Sequence, residues 1–190
     1  MTSTAFTTFL GPLLDDALEI DRAHQSLRTG NAGRQWGLGS LNRAAIVMTL
    51  SAWEAYVEEL AVEAVDSFMP AAPSQTIWQS IKADALSRTK RFNTPNAQNV
   101  RELFRSCIGL GDVTAGWGWQ NTPSTKAVNR LTKAITLRHQ IAHGVNPRPT
   151  VHNQYAARLP RFFQLLGIAT DNTVRAHLVD ALHVPNPWPL

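Results

Sequence analysis

The chain has 190 residues, a length suited to one domain with a real core and hardly to two. Apolar residues make up 44% and charged residues 17%, which argues against wholesale disorder. The formal net charge of +4 is a mild basic bias, compatible with a polyanionic partner but not evidence for one, because no Lys/Arg run exceeds two residues.

The first helical block is expected over about Ala5 to Arg28. Its opening, "MTSTAFTTFLGPLL", lacks a basic segment, and Asp15 and Asp16 end the apolar run, so it does not read as a secretory signal. No stretch approaches the roughly 18 apolar residues that span a bilayer, and a soluble cytoplasmic protein is the expectation. "TGNAGRQWGLGS" follows as a Gly-rich connector carrying Trp36.

The second block, about Leu41 to Phe68, is the longest. Leu50, Trp53, Val57, Leu60, Ala61, Ala64, Val65 and Phe68 recur at helical spacing, and Ser40 is the expected N-cap. Glu54, Glu58, Glu59, Glu63 and Asp66 fall mostly on other faces. A third helix is expected from Gln75 to about Lys90, capped by Ser74, and a fourth over "AQNVRELFRSCIGL", capped by Asn96 after the turn "FNTPN". Cys107, the only cysteine, sits among apolar neighbours as a small buried hydrophobe. A lone cysteine excludes an intrachain disulfide framework and a Cys-based zinc site.

The irregular stretch "GDVTAGWGWQNTPS" holds Trp117 and Trp119. The fifth helix runs from near Ser124 to "LRHQIAHG". Two more are expected, about Val151 to Leu166 and about Thr173 to Leu182, the second capped by Asp171. The tail "HVPNPWPL", residues 183–190, should be extended. No segment shows strand-like alternation between hairpin signals. The fold class is therefore all-α, a helical bundle forming one domain over residues 1–190, with the second and fifth helices as its spine.

The fifth helix carries the chemistry. On a helical wheel with Leu131 at zero, Val128, Ala134, Ile135, Ile141 and Ala142 lie within roughly 80° of it. Arg138 falls at roughly −20°, inside that apolar arc. His139 and His143 stack one turn apart on its flank. Gly144 and Pro147 are ordinary termination signals.

Three readings are open. In the structural one, Arg138 pairs with a carboxylate such as Glu54 or Glu58, and the histidines cap the helix C-terminus. In the second, His139 and His143 hold a metal at i, i+4 spacing. "HQIAH" offers no glutamate between them and no third ligand is evident, so no metal and no cofactor are expected. In the third, Arg138 clamps an RNA phosphate while a histidine moves protons at neutral pH, and the RNA 2′-OH attacks its adjacent phosphate.

Arg138, four residues, then His143 resembles the R-x4-H motif of the HEPN superfamily, and "RHQIAHG" is similar to the "RN-x-IAHG" helix end of its bacterial branches. "SAWEAYVEEL" resembles the early long helix with its Trp-Glu pair. "FNTPNAQNVRELF" followed by "GWGWQN" resembles the middle segment of RiboL-PSP-HEPN domains. The likeness covers about residues 41–146, with further helices over 151–182. His139 departs from the pattern, standing where asparagine is commonest.

This resemblance implies a helical bundle that dimerises, so that two R-x4-H helices build one composite cleft. It implies a metal-independent endoribonuclease, often a toxin with a cognate antitoxin or an effector of anti-phage defence, whose products carry a 2′,3′-cyclic phosphate. Other members are non-catalytic nucleotide- or protein-binding modules. Carried onto this chain, it makes Arg138 and His143 catalytic, with His139 beside them. From the residues themselves, Glu54 is a candidate support for Arg138. Trp117 and Trp119 are candidates for base stacking, and Lys90 and Arg91 for phosphate contact. No nucleophile elbow, phosphate-binding P-loop or paired-carboxylate metal motif is present.

Overall fold

The computed structural model describes residues 2–29, 37–69, 74–144 and 150–188. The helices, in chain order, are α1 (Gly11–Ser26), α2 (Leu38–Phe68), α3 (Gln75–Thr89), α4 (Ala97–Ile108), α5 (Ser124–Ala142) and α6 (Asn153–Asp180). A π-helical turn, Phe6–Leu10, leads into α1, and a 3-10 turn, Val113–Gly116, lies between α4 and α5. Among the described residues the only strand-like pairing is one bridge between Trp119 and Thr122, so the protein is all-α as expected. Trp36 and Pro147 lie outside the described residues.

Helix α2 is the axis of the bundle. Its buried positions include Ala45, Ile46, Leu50, Trp53, Tyr56, Val57, Leu60, Ala61, Ala64 and Val65. These recur every three to four residues over a broad arc, which lets one helix of about 46 Å be covered from several sides. Helices α1, α3, α4, α5 and α6 all pack on it. It begins one turn before the expected cap: Gly37, at φ 93°, precedes it, and Ser40 lies in its first turn, donating to Gly37 O at 2.6 Å. Ser74 and Asn96 do cap α3 and α4, accepting from the backbone N–H of Ile77 at 3.2 Å and of Asn99 at 2.8 Å.

The long partner of α2 is α6, not α5. Two helices expected at the C-terminus are one continuous 28-residue helix that runs through Pro160 and Gly167. Gly167 is a close-approach position and not a break. A Cβ there would collide with Leu10 Cδ2. Asp171 is not a cap either. It is buried mid-helix, where its carboxylate accepts from Tyr56 Oη at 2.6 Å, Ser3 N–H at 2.6 Å and Ser3 Oγ at 2.8 Å. Burial raises the Asp171 pKa while these donors pull it back. A tertiary network thus takes the carboxylate that local capping rules assign to a helix start.

The tail after α6 is non-helical and folds back on the bundle. Val184 N–H bonds Leu178 O at 2.9 Å, and Val184 and Trp188 are buried.

Candidate active site

Helix α5 reaches α2 through Ala127, Leu131, Ala134 and Ile135, all buried at i, i+4, i+3 and i+1 steps. The stripe then runs off the core: Ile141 is only partly covered and Ala142 is exposed. Arg138 occupies the boundary. Its side chain is 26% exposed, and its Nη2 lies 3.3 Å from Glu54 Oε2 on α2, itself 19% exposed. The guanidinium expected in the apolar arc is therefore half-buried at its edge, with a carboxylate beside it. The contact uses one of its N–H donors and leaves others for a ligand.

The chain turns beyond Arg138 within one residue of the helix end. His143 is the C-cap, its N–H bonding His139 O at 3.0 Å, and Gly144 follows at φ 62°, the left-handed geometry that suits glycine at this place. The rings of His139 and His143 are 5.7 Å apart and 4° from parallel. His143 is exposed and His139 partly so. Neither ring nitrogen has a hydrogen-bond partner among the described residues, so both pairs of nitrogens are open to a ligand. Also among the described residues, no three His, Cys, Asp or Glu side chains converge on one point.

An acidic patch on α2 backs the arginine. Burial raises the Glu54 pKa against the opposing pull of Arg138. Burial, then the nearby Glu54 and Glu59 charges, push Glu58 up to about 7.

Several short sequence signatures meet behind this site, around Trp53. Its indole is fully buried and donates from Nε1 to Pro95 O at 3.0 Å, tying α2 to the "FNTPN" turn. Asn99 Nδ2 closes that turn onto Thr94 O at 2.8 Å. Trp117 stands edge-on to Trp53 at 5.9 Å, and Tyr56 and Phe163 pack at 5.5 and 5.6 Å. Trp53 is thus anchored, and Glu54, about 100° further round the helix, is presented toward α5.

This cluster corrects one expectation. Trp117 is wholly buried, so its face is closed to a base, and the tryptophan anchors the loop to the core. Trp119 is partly buried, with its ring 5.9 Å from Phe162. Lys90 and Arg91 are exposed just beyond α3, which packs chiefly on α2 and α4. Cys107 is buried, and burial pushes its thiol up to about 11, far from a reactive thiolate.

Sequence reading missed a groove between α5 and the start of α6. It measures about 780 Å³, and Lys126, Arg130, Lys133, Tyr155 and Arg158 are among its lining residues. The signal was present as cations at i, i+4 and i+7 on α5.

The RiboL-PSP-HEPN family model matches residues 13–176. The match takes in α2, the Trp53 cluster and the Arg138–His143 helix end, and the chain belongs to the RiboL-PSP-HEPN family of HEPN domains. No curated protein and no solved structure gives a significant match. No helix among the described residues is long and apolar enough to cross a membrane.

Proposed function

We propose that the protein is a metal-independent endoribonuclease of HEPN type, acting as a homodimer. Arg138 holds the scissile phosphate and neutralises the charge that grows on it. His143 carries the proton exchange that accompanies attack by the RNA 2′-OH, either taking the 2′ proton or giving one to the departing 5′ oxygen. His139, parallel to it one turn back, supplies the second proton carrier, and Glu54 positions Arg138. The attack forms the 2′ O–P bond and breaks the 5′ O–P bond, leaving a 2′,3′-cyclic phosphate and a 5′-OH.

The observation that carries this reading is the placement of Arg138 and the two histidines at an open helix end, with both imidazoles unpartnered among the described residues. The geometry of one helix favours a composite site. A five-residue step turns about 140°, so Arg138 and His143 of one chain point apart. Two such helix ends facing each other across a two-fold axis bring an arginine of one chain toward a histidine of its partner. The partly exposed Ile141 and exposed Ala142 then form part of the contact. The test is cleavage of RNA in excess EDTA. Wild type should cut, and Arg138→Ala and His143→Ala should not. Intact RNA in every wild-type reaction overturns the reading.

We place this activity in the cytoplasm, in a toxin with a cognate antitoxin or in an effector of anti-phage defence. Growth arrest on expressing wild type and none on expressing His143→Ala is the expected outcome.

The Glu54 contact favours a second reading, a non-catalytic interaction module in which Arg138 is structural. That reading requires Arg138→Ala to lower stability by several kcal/mol, the scale of a broken buried pair.

A further inference from the structure

The groove between α5 and α6 gathers four cations along one concave surface. Lys126, Arg130 and Lys133 project from α5, and Arg158 faces them from α6. Among the described residues that line the groove there is no aspartate or glutamate. Elsewhere among the described residues, cations such as Lys90, Arg91 and Arg105 also lack a carboxylate partner, while Arg22, Lys82, Arg88, Arg101 and Arg138 each pair with one. Among the described residues none of the four groove cations does. Lys126 Nζ reaches only the Asn121 carbonyl at 3.4 Å, and Arg130 only that of Arg158 at 3.5 Å.

The four cations differ in setting. Lys126, Lys133 and Arg158 are exposed. Arg130 is half-buried with its guanidinium 4.5 Å from the centre of the Phe162 ring, and Trp119 packs on that same ring. Burial and the neighbouring Arg158 charge lower the Arg130 pKa, while Tyr155 opposes them. Four like charges on one concave surface with no acid beside them raise the local positive potential and attract an anion. The start of α6 adds to the field, because no side chain caps it and its dipole points positive charge at the same place.

We propose that this groove binds the sugar-phosphate backbone of single-stranded RNA and feeds it to the site at the far end of α5. The choice of RNA rests on the nuclease reading above. Lys133 lies ten residues before His143, about 15 Å along the helix axis and about 80° round it, a path that an extended strand wrapping the helix covers. The concave shape and the partly exposed Tyr155 ring suit a strand whose bases are free to stack, and a duplex presents neither.

The experiment measures binding of a labelled single-stranded oligoribonucleotide to full-length His143→Ala protein, which leaves the RNA intact, across a salt series. Lys126→Gln/Lys133→Gln/Arg158→Gln is added to that background. Three lost phosphate contacts at roughly 0.7 each should flatten the slope of log K against log salt by about 2. If the triple variant misfolds by circular dichroism, the exposed pair Lys126→Gln/Lys133→Gln is read instead, with a loss of about 1.4. In the active background the same substitutions should raise KM and leave kcat unchanged. An unchanged slope overturns the groove assignment even where RNA is still cut. A lost slope in a protein that never cuts RNA keeps the groove and overturns the nuclease. Equal binding of polyglutamate or of duplex RNA, removed by the same substitutions, overturns the assignment to single-stranded RNA.

Discussion

Arg138 Nη2 lies 3.3 Å from Glu54 Oε2, joining the end of α5 to the middle of α2 across 84 positions of sequence. The pair is neither dry nor fully solvated. Arg138→Ala should therefore cost only about 1 kcal/mol, between the values for surface and buried pairs. For a domain of this size that is a fall of about 2–4 °C in Tm. Cleavage should drop by about 100-fold or more. Arg138→Lys keeps the charge but loses the planar fork, and should not restore the rate. A calorimetric scan beside a cleavage assay checks both. A Tm loss of about 10 °C or more with no effect on RNA would favour the structural role.

Glu58 gives a pH signature. Its pKa is raised from 4.5 to about 7 in the folded chain, so the native state binds the extra proton more tightly than the unfolded state does. Stability from this group is greatest below about pH 4.5 and is lost as pH rises toward 7. Glu58→Gln should thus melt above wild type at about pH 8, with the advantage vanishing near pH 4.5. Parallel melting curves at all pH values would contradict the partial burial of Glu58 beside Glu54 and Glu59.

The Tyr56–Asp171–Ser3 network should be the most sensitive polar point of the fold. Asp171→Ala leaves both Ser3 donors without their acceptor and the Tyr56 hydroxyl with only the Gly167 carbonyl, 2.9 Å away, at a cost of about 3 kcal/mol. Tyr56→Phe removes one donor and should cost about 1 kcal/mol. Urea titrations would check the ranking, with Asp171→Ala shifting the midpoint further.

Dimerisation is expected to run through the end of α5. Sedimentation should give one species near twice the chain mass of 21.0 kDa. Ala142→Glu, at an exposed position, should convert it to a monomer with an unchanged helical spectrum and no cleavage. A monomeric variant that cuts RNA at the wild-type rate would contradict the composite site.

The parts of this fold that were legible from sequence were those set by local chemistry. Ser74 and Asn96 could be read as caps because capping needs only a side chain and the N–H three residues on. Leu131, Ala134 and Ile135 follow from helical periodicity, but the expected arc runs too far: Ala142 is exposed and Arg138 lies at its edge, not near its middle. The illegible parts depended on distant partners. Asp171 has the profile of a cap, but Tyr56 and Ser3 claim it from 115 and 168 positions away. Gly167 has the profile of a break, but Leu10 fills the space beside it. Trp117, in an irregular loop, suits base stacking and core anchoring alike by local pattern, and only its contact with Trp53 decides for the core. The basic groove exists only because the start of α6 lies beside α5, a contact that no local pattern reports.

The most direct measurement is the chemistry of the cut ends. RNA is cleaved by wild type in excess EDTA, and the fragments are resolved by mass spectrometry beside a His143→Ala control. Attack by the 2′-OH predicts a 2′,3′-cyclic phosphate on one fragment and a 5′-OH on the next, both absent from the control. Fragments ending in 3′-OH and 5′-phosphate, or an identical pattern from His143→Ala, would contradict the catalytic roles of Arg138 and His143.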